Sequence, residues 1–234
     1  MSAGSAIVAE DLVMEFPTGE NDGAVRVLHG LSLSIAAGAS LAVVGPSGCG
    51  KSTLLGLLGG LDVPTSGRVL IGEDKVSALS EGRRAAIRRS EIGFVFQADN
   101  LQPFLTVSEN VVLQCVLAGD PDGGARAQTL LADLGLADLL QRLPNELSGG
   151  QRQRVAVARA LVHEPGVVLA DEPTGALDAS TSERVVDLLL AARERLGCTL
   201  VVVTHDPDVA RRMSATVRLH DGRIAEQLEG SRVG

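Results

Sequence analysis

Tyrosine and tryptophan are both missing from this 234-residue chain, and Phe16, Phe94, Phe96 and Phe104 are its only aromatic residues. A protein that binds single-stranded nucleic acid by stacking needs a row of aromatic platforms, which four phenylalanines do not make. Positive charge is also short: 21 Lys and Arg stand against 29 Asp and Glu, a net charge of −8. Contact with phosphate backbones rests on Lys and Arg, so no nucleic-acid partner is expected. The cysteines, Cys49, Cys115 and Cys198, are odd in number and widely spaced. They fit neither a disulfide framework nor a zinc site, and a reducing compartment is expected. The opening stretch MSAGSAIVAEDLVMEF has no basic segment followed by a long apolar one, so no signal peptide is expected. No apolar run approaches the ~18 residues of a membrane-spanning helix, so any membrane role has to come through a partner.

Hydrophobic residues make up 45% of the chain and charged residues 21%. Those shares belong to a globular protein, and with aromatics so scarce the core has to be built from Leu, Val, Ala and Ile. The length suits one large domain or a domain with a sub-domain. Four short apolar runs, at 40–44, 93–96, 167–170 and 199–203, read as buried strands. Helical patterns lie between them, one starting at Lys51 and one over 181–196, where Val185, Leu189, Ala192 and Leu196 share a face. Strands alternating with helices predict an α/β fold with a largely parallel sheet. Residues 98–159 read as an inserted helical sub-domain, leaving 1–97 and 160–226 as the core and 227–234 as a loose tail. A polar, glycine-rich loop is expected at 18–24.

Residues Gly45, Pro46, Ser47, Gly48, Cys49, Gly50, Lys51, Ser52 and Thr53 fit the pattern G-x-x-x-x-G-K-[ST], after an apolar strand and before an apolar helix. Glycines let backbone N–H groups turn inward around a phosphate, and the helix N-terminus adds its positive dipole end. Lys51 then reaches the β- and γ-phosphates, and the Ser52 hydroxyl ligates Mg²⁺. Asp171 and Glu172 end the apolar run at 167–170. A strand delivering Asp171 can set it beside the same Mg²⁺, while Glu172 is free to polarise a water. His205 follows the run at 199–203. If that strand neighbours the phosphate-loop strand, His205 stands at the sheet edge where open α/β folds bind ligands.

Leu147, Ser148, Gly149, Gly150 and Gln151 complete a pattern that resembles the signature of ATP-binding-cassette (ABC) ATPases. The phosphate loop, Gln97, the signature, Asp171 with Glu172, the run from Gly175 to Asp178, and His205 stand in that family's order over nearly the whole chain. The resemblance implies a P-loop NTPase core of RecA-like type, with an antiparallel β sub-domain and the inserted helical sub-domain. It also implies an ATPase that uses ATP and Mg²⁺. On this reading Gln97 contacts the Mg²⁺ and the attacking water and couples the site to a transmembrane partner. Glu172 is the catalytic base, Asp171 the magnesium carboxylate and His205 the γ-phosphate contact. Ser148, Gly149, Gly150 and Gln151 cap an ATP held by a second copy, Asp178 communicates across that interface, and Phe16 stacks on adenine.

Finer detail resembles the branch of lipoprotein-releasing, macrolide-efflux-type and cell-division ATPases. The residues that carry it are 58–62, 64–67, 93–97, 169–175 and 203–206. Such a homodimer serves a permease with four transmembrane helices and a large external domain, from the cytoplasmic face of the membrane. Phe94, Phe96 and Phe104 flank Gln97, so the few aromatics are expected around ATP and its coupling loop. Two alternatives stay open: a soluble ABC ATPase of translation or DNA repair, and a P-loop kinase. The first usually carries two cassettes or long insertions, and the second has no use for 147–151.

Overall fold

The structure, a computed structural model, describes residues 4–18, 23–120, 122–175 and 177–229. Most of the expected 18–24 loop therefore lies outside the described residues, as does Ala176 within the 175–178 motif. On either side of the loop run two long antiparallel strands, β1 (Ile7–Thr18) and β2 (Gly23–Ile35). Together with β4 (Ser66–Ile71) they form a three-stranded sheet in the order β2-β1-β4.

The second sheet has six strands. It contains β3 (Ser40–Val44), β5 (Ile92–Val95), β6 (Val167–Asp171), β7 (Thr199–Val203), β8 (Ala215–His220) and β9 (Arg223–Glu229). Their order is β5-β6-β7-β3-β8-β9, parallel except for the β8-β9 hairpin. The four strands expected from the sequence are all present, with β5 starting one residue earlier than expected. The tail expected from 227 is corrected in part: β9 continues to Glu229 as an exposed edge strand paired to β8. Of that expected tail, the residues beyond 229 lie outside the description.

Successive side chains of a strand point to opposite faces. Ala42, Val168, Ala170, Leu200 and Val202 enter one core, while Leu41, Val43, Val167, Leu169, Val201 and Val203 enter the other. Both faces are covered, which is why these strands read as unbroken apolar runs. The second core is closed by the antiparallel sheet and by α1 (Lys51–Leu58). The first is closed by α3 (Val107–Ala118), α4 (Gly123–Asp133), α5 (Gly149–Leu161) and α6 (Ala179–Leu196). Two further helices, α2 (Glu81–Ser90) and α7 (Pro207–Arg211), pack against β5 and β3 of this sheet. Helix α5 runs across the expected 159/160 boundary, and its Val155–Leu161 side packs into the same core as the parallel sheet. No phenylalanine is fully buried, so both cores are aliphatic.

Candidate active site

The loop from Gly45 to Gly50 joins the end of β3 to α1. Gly48 (φ 76°) and Gly50 (φ 100°) hold left-handed backbone that a side chain would strain. A Cβ on Gly50 would also press on Leu28, 2.9 Å away. Helix α1 starts with neither a side-chain cap nor an acidic residue in its first turn. The first N–H groups of a helix have no partner within it, so this end can receive an anion. By contrast α3, α5, α6 and α7 are capped by Thr106, Ser148, Asp178 and Asp206. The Lys51 ammonium donates to the carbonyls of Gly45 (2.9 Å) and Pro46 (2.8 Å), which holds it over the loop.

Parallel pairing sets the opposite wall. Strand β7 lies between β6 and β3, with Asp171 opposite Val203. The Glu172 N–H donates to the Val203 carbonyl at 2.9 Å, continuing that register into the turn. Glu172 then takes a positive φ of 46°, an uncommon conformation for a residue with a side chain. The turn redirects its carboxylate to His205, whose Nδ1 lies 2.9 Å from Glu172 Oε2. The result is one cavity of about 520 Å³ lined by Lys51, Ser52, Gln97, Asp171, Glu172 and His205, with Val27 of β2 on its rim.

Asp171 fits a metal ligand. One carboxylate oxygen is buried with no hydrogen-bond partner. Burial pushes the carboxyl up, the Ser52 hydroxyl and Lys51 pull it down, and Glu172 adds to the upward shift. An orphaned carboxylate oxygen beside a hydroxyl, with the Gln97 amide on the same cavity, is a hard oxygen set that suits Mg²⁺.

The remaining expected residues lie elsewhere. Ser148 caps α5 in a reciprocal box: its Oγ accepts from the Gln151 N–H at 3.3 Å, and Gln151 Oε1 accepts from the Ser148 N–H at 2.7 Å. None of Ser148, Gly149, Gly150 or Gln151 lines the phosphate-loop cavity. Gly149 opens instead onto a neighbouring groove with Gln97 and Glu172, and a Cβ on Gly150 would meet Thr181 at 2.7 Å. Asp178 caps α6, accepting from the Thr181 N–H (3.1 Å) and from the hydroxyls of Ser180 and Thr181 (both 2.7 Å). Those donors, the Thr181 hydroxyl first, hold its carboxyl far below the usual range. Phe16 lies on β1 opposite Val25, 40% exposed and outside the cavity lining. Phe94 and Phe96 stack with centroids 5.4 Å apart, while Phe104 is 74% exposed.

Two arginines were missed by reading the sequence. Arg152 of α5 donates to Asp99 at 2.8 Å, and Arg159 donates to the carbonyls of Asp99 (2.8 Å) and Asn100 (2.7 Å). These bonds fasten the loop after Gln97 to the helix after the signature. The seven-residue spacing of the two arginines on one helix was the available signal.

The family pattern described as ABC transporter matches residues 28–175, from β2 through the phosphate loop and signature to the turn after β6. The chain belongs to this family. It is the ATP-binding, ATP-hydrolysing subunit of an ABC transporter. The lipoprotein-releasing system ATP-binding protein LolD of Xanthomonas campestris pv. campestris (strain 8004) is 49% identical over 202 residues, covering 86% of this chain and 84% of that protein. LolD of Xanthomonas axonopodis pv. citri (strain 306) is 46% identical over 226 residues, covering 96% and 92%. LolD of Legionella pneumophila (strain Paris) is 47% identical over 202 residues, covering 86% and 89%. Among solved structures, the ATP-binding cassette MJ0796, as a dimer in a post-hydrolysis state bound to ADP and Pi, superposes with a TM-score of 0.89. It is 40% identical and covers 95% of this chain and 98% of that one. The ABC cassette thus has the expected mixed α/β fold, with an antiparallel sheet beside a mostly parallel one.

Proposed function

We propose that two copies of this chain close around two ATP molecules and drive a membrane permease of the lipoprotein-releasing kind. The observation that carries the dimer is the split site: the phosphate-loop cavity gathers Gln97, Asp171, Glu172 and His205 of its own chain but none of Ser148 to Gln151. The N-terminus of α5 therefore serves an ATP held by a second copy, with Asp178 at the same interface. The curated relatives favour lipoprotein release over the other uses of the branch.

Within each site Lys51 and the α1 amides bind the phosphates, and Phe16 packs on adenine. Ser52, Asp171 and Gln97 would hold Mg²⁺, which when bound would neutralise phosphate charge. Glu172 accepts a proton from the water that attacks the γ-phosphorus, while the bond to the bridging oxygen breaks and ADP departs. His205 holds the Glu172 carboxylate and meets the γ-phosphate. Closure on ATP and opening after hydrolysis shift the permease between states.

A second groove offers the permease a seat. About 370 Å³ in volume, it is lined by the apolar Leu61, Phe94, Phe96 and Leu117 and by Arg88, Arg89 and Arg159. No carboxylate lines it, although the chain as a whole carries a net charge of −8. Its occupant is a cytoplasmic segment of the permease, apolar on one face and acidic on the other, which puts the subunit at the membrane's cytoplasmic face.

The test is reconstitution with a permease of four transmembrane helices and a large external domain, in phospholipid vesicles that hold a lipidated protein. ATP-dependent release of that protein, abolished in Glu172→Gln, is expected. Failure of the permease to stimulate hydrolysis, together with co-purification on ribosomes or DNA, would overturn the proposal in favour of a soluble ATPase.

A further inference from the structure

Gln153 lies two residues beyond the signature on α5. It is 6% exposed, and its Nε2 amide group has no hydrogen-bond partner. It faces a groove of about 270 Å³ shared with Gln97, Gly149, Glu172, Pro173 and Gly175. Buried amides are nearly always paired, because an unpaired donor has lost its water and gained nothing in return. A neutral donor without a partner calls for an acceptor, and Glu172, Pro173 and Gly175 of the turn after β6 line the same groove.

Both sides of the groove suit a two-position element. The turn is locally closed by Gly175 N–H donating to the Glu172 carbonyl at 3.1 Å, and it carries Glu172 at a positive φ of 46°. Helix α5 is stiffened at its start by the Ser148–Gln151 box and is tied through Arg152 to Asp99, next to the Gln97 loop. A displacement of the α5 N-terminus therefore carries Gln153 and the Gln97 loop together.

We infer that Gln153 is a positioning residue that couples the two ATP sites. Its amide stays unpaired in the arrangement described here. It donates to a carbonyl of the Glu172–Gly175 turn once the other copy's ATP engages the N-terminus of α5. ATP in one site thereby settles Glu172 in the other. The inference rests on the dimer proposed above.

The experiment uses the full chain with Mg-ATP and compares wild type with Gln153→Met, which keeps the length and removes the amide, and Gln153→Glu, which replaces the donor with acceptors. In Gln153→Met, kcat is expected to fall about tenfold and the Hill coefficient for ATP to drop from about 2 towards 1. Its Tm should be unchanged or higher, since deleting an unpaired donor removes a penalty. ATP affinity of the isolated subunit should not move, and Gln153→Glu should show the same kinetic loss. Wild-type kcat and Hill coefficient in Gln153→Met would overturn the inference, leaving an amide satisfied by ordinary water. A parallel fall of Tm and kcat would overturn it equally, as a packing effect. If the chain stays monomeric at saturating Mg-ATP even with Glu172→Gln, the dimer itself fails, whatever Gln153 does.

Discussion

His205 and Glu172 meet at 2.9 Å, Nδ1 to Oε2, although 33 positions separate them in the chain. Adjacent parallel strands bring them together: β6 ends at Asp171, β7 ends at Val203, and the two ends are paired. Glu172 is thereby held by the strand that lies next to the phosphate-loop strand β3. Glu172→Gln keeps the shape and a polar contact to His205 but loses the basic oxygen. Hydrolysis should fall at least ~100-fold, the lower end of what a positioned base contributes. ATP binding should survive and the ATP-bound dimer should accumulate. His205→Ala should cost roughly tenfold or more, because it frees Glu172 and also removes the proposed γ-phosphate contact. Phosphate release and sedimentation in Mg-ATP measure both effects. Full turnover by Glu172→Gln would remove Glu172 from its role.

Phe16 gives a second test. It sits on β1 opposite Val25, two residues along β2 from Val27 on the cavity rim, and 40% of it is exposed. Stacking on adenine is worth about 1 kcal/mol, so Phe16→Ala should weaken ATP binding roughly fivefold. The chain has no tyrosine or tryptophan that could substitute. Unchanged affinity, measured calorimetrically, would return Phe16 to ordinary strand packing.

What the sequence disclosed follows a physical division. The phosphate loop is contiguous, and the strands around it are buried on both faces, so motif and hydropathy report them directly. Edge strands are different. Residues Arg223 to Glu229 pair along one side only and are mostly exposed, so their polar composition looks like a tail until the ladder to β8 is seen. The Asp99–Arg152 bond and the unpaired Gln153 amide depend on how α5 packs against the loop after β5, which no local pattern encodes. The aromatics divide in a similar way. A Cβ on Gly59, just past α1, would collide with the ring of Phe94, so this ring packs against the end of the phosphate-loop helix. Phe96 stacks on it and faces the arginine-walled groove.

Arg89 tests that groove. It lies exposed on α2 and makes no ion pair among the described residues, whereas Arg88 is bound to Glu81 and to the Gly60 carbonyl. Charge reversal at Arg89 therefore disturbs little of the fold and opposes an acidic partner directly. In Arg89→Glu, ATP hydrolysis by the isolated subunit should stay at the wild-type level. Permease affinity should fall about tenfold or more, and stimulation by the permease should fall with it. A wild-type response to the permease would mean that the groove is not where it docks.

His163 predicts how stability responds to acid. The side chain is 9% exposed and follows the end of α5, with its Nε2 3.2 Å from the Ile92 carbonyl and its Nδ1 unpartnered. Burial lowers its pKa to about 4, with Arg126 adding to the fall and the bond to Ile92 opposing it. The folded protein thus holds His163 neutral, while the unfolded chain takes up a proton near pH 6.5. Between those values the unfolded state binds more protons, so stability rises with pH through the window and is lost as pH falls from about 6.5 towards 4. From pH 7 to pH 5 this one group should cost about 2 kcal/mol. His163→Gln keeps a donor for the Ile92 carbonyl and removes the titration. Urea unfolding at the two pH values should show the gap shrink by about that amount in the variant. An identical gap in both proteins would mean that His163 takes up its proton alike in the folded and unfolded chain.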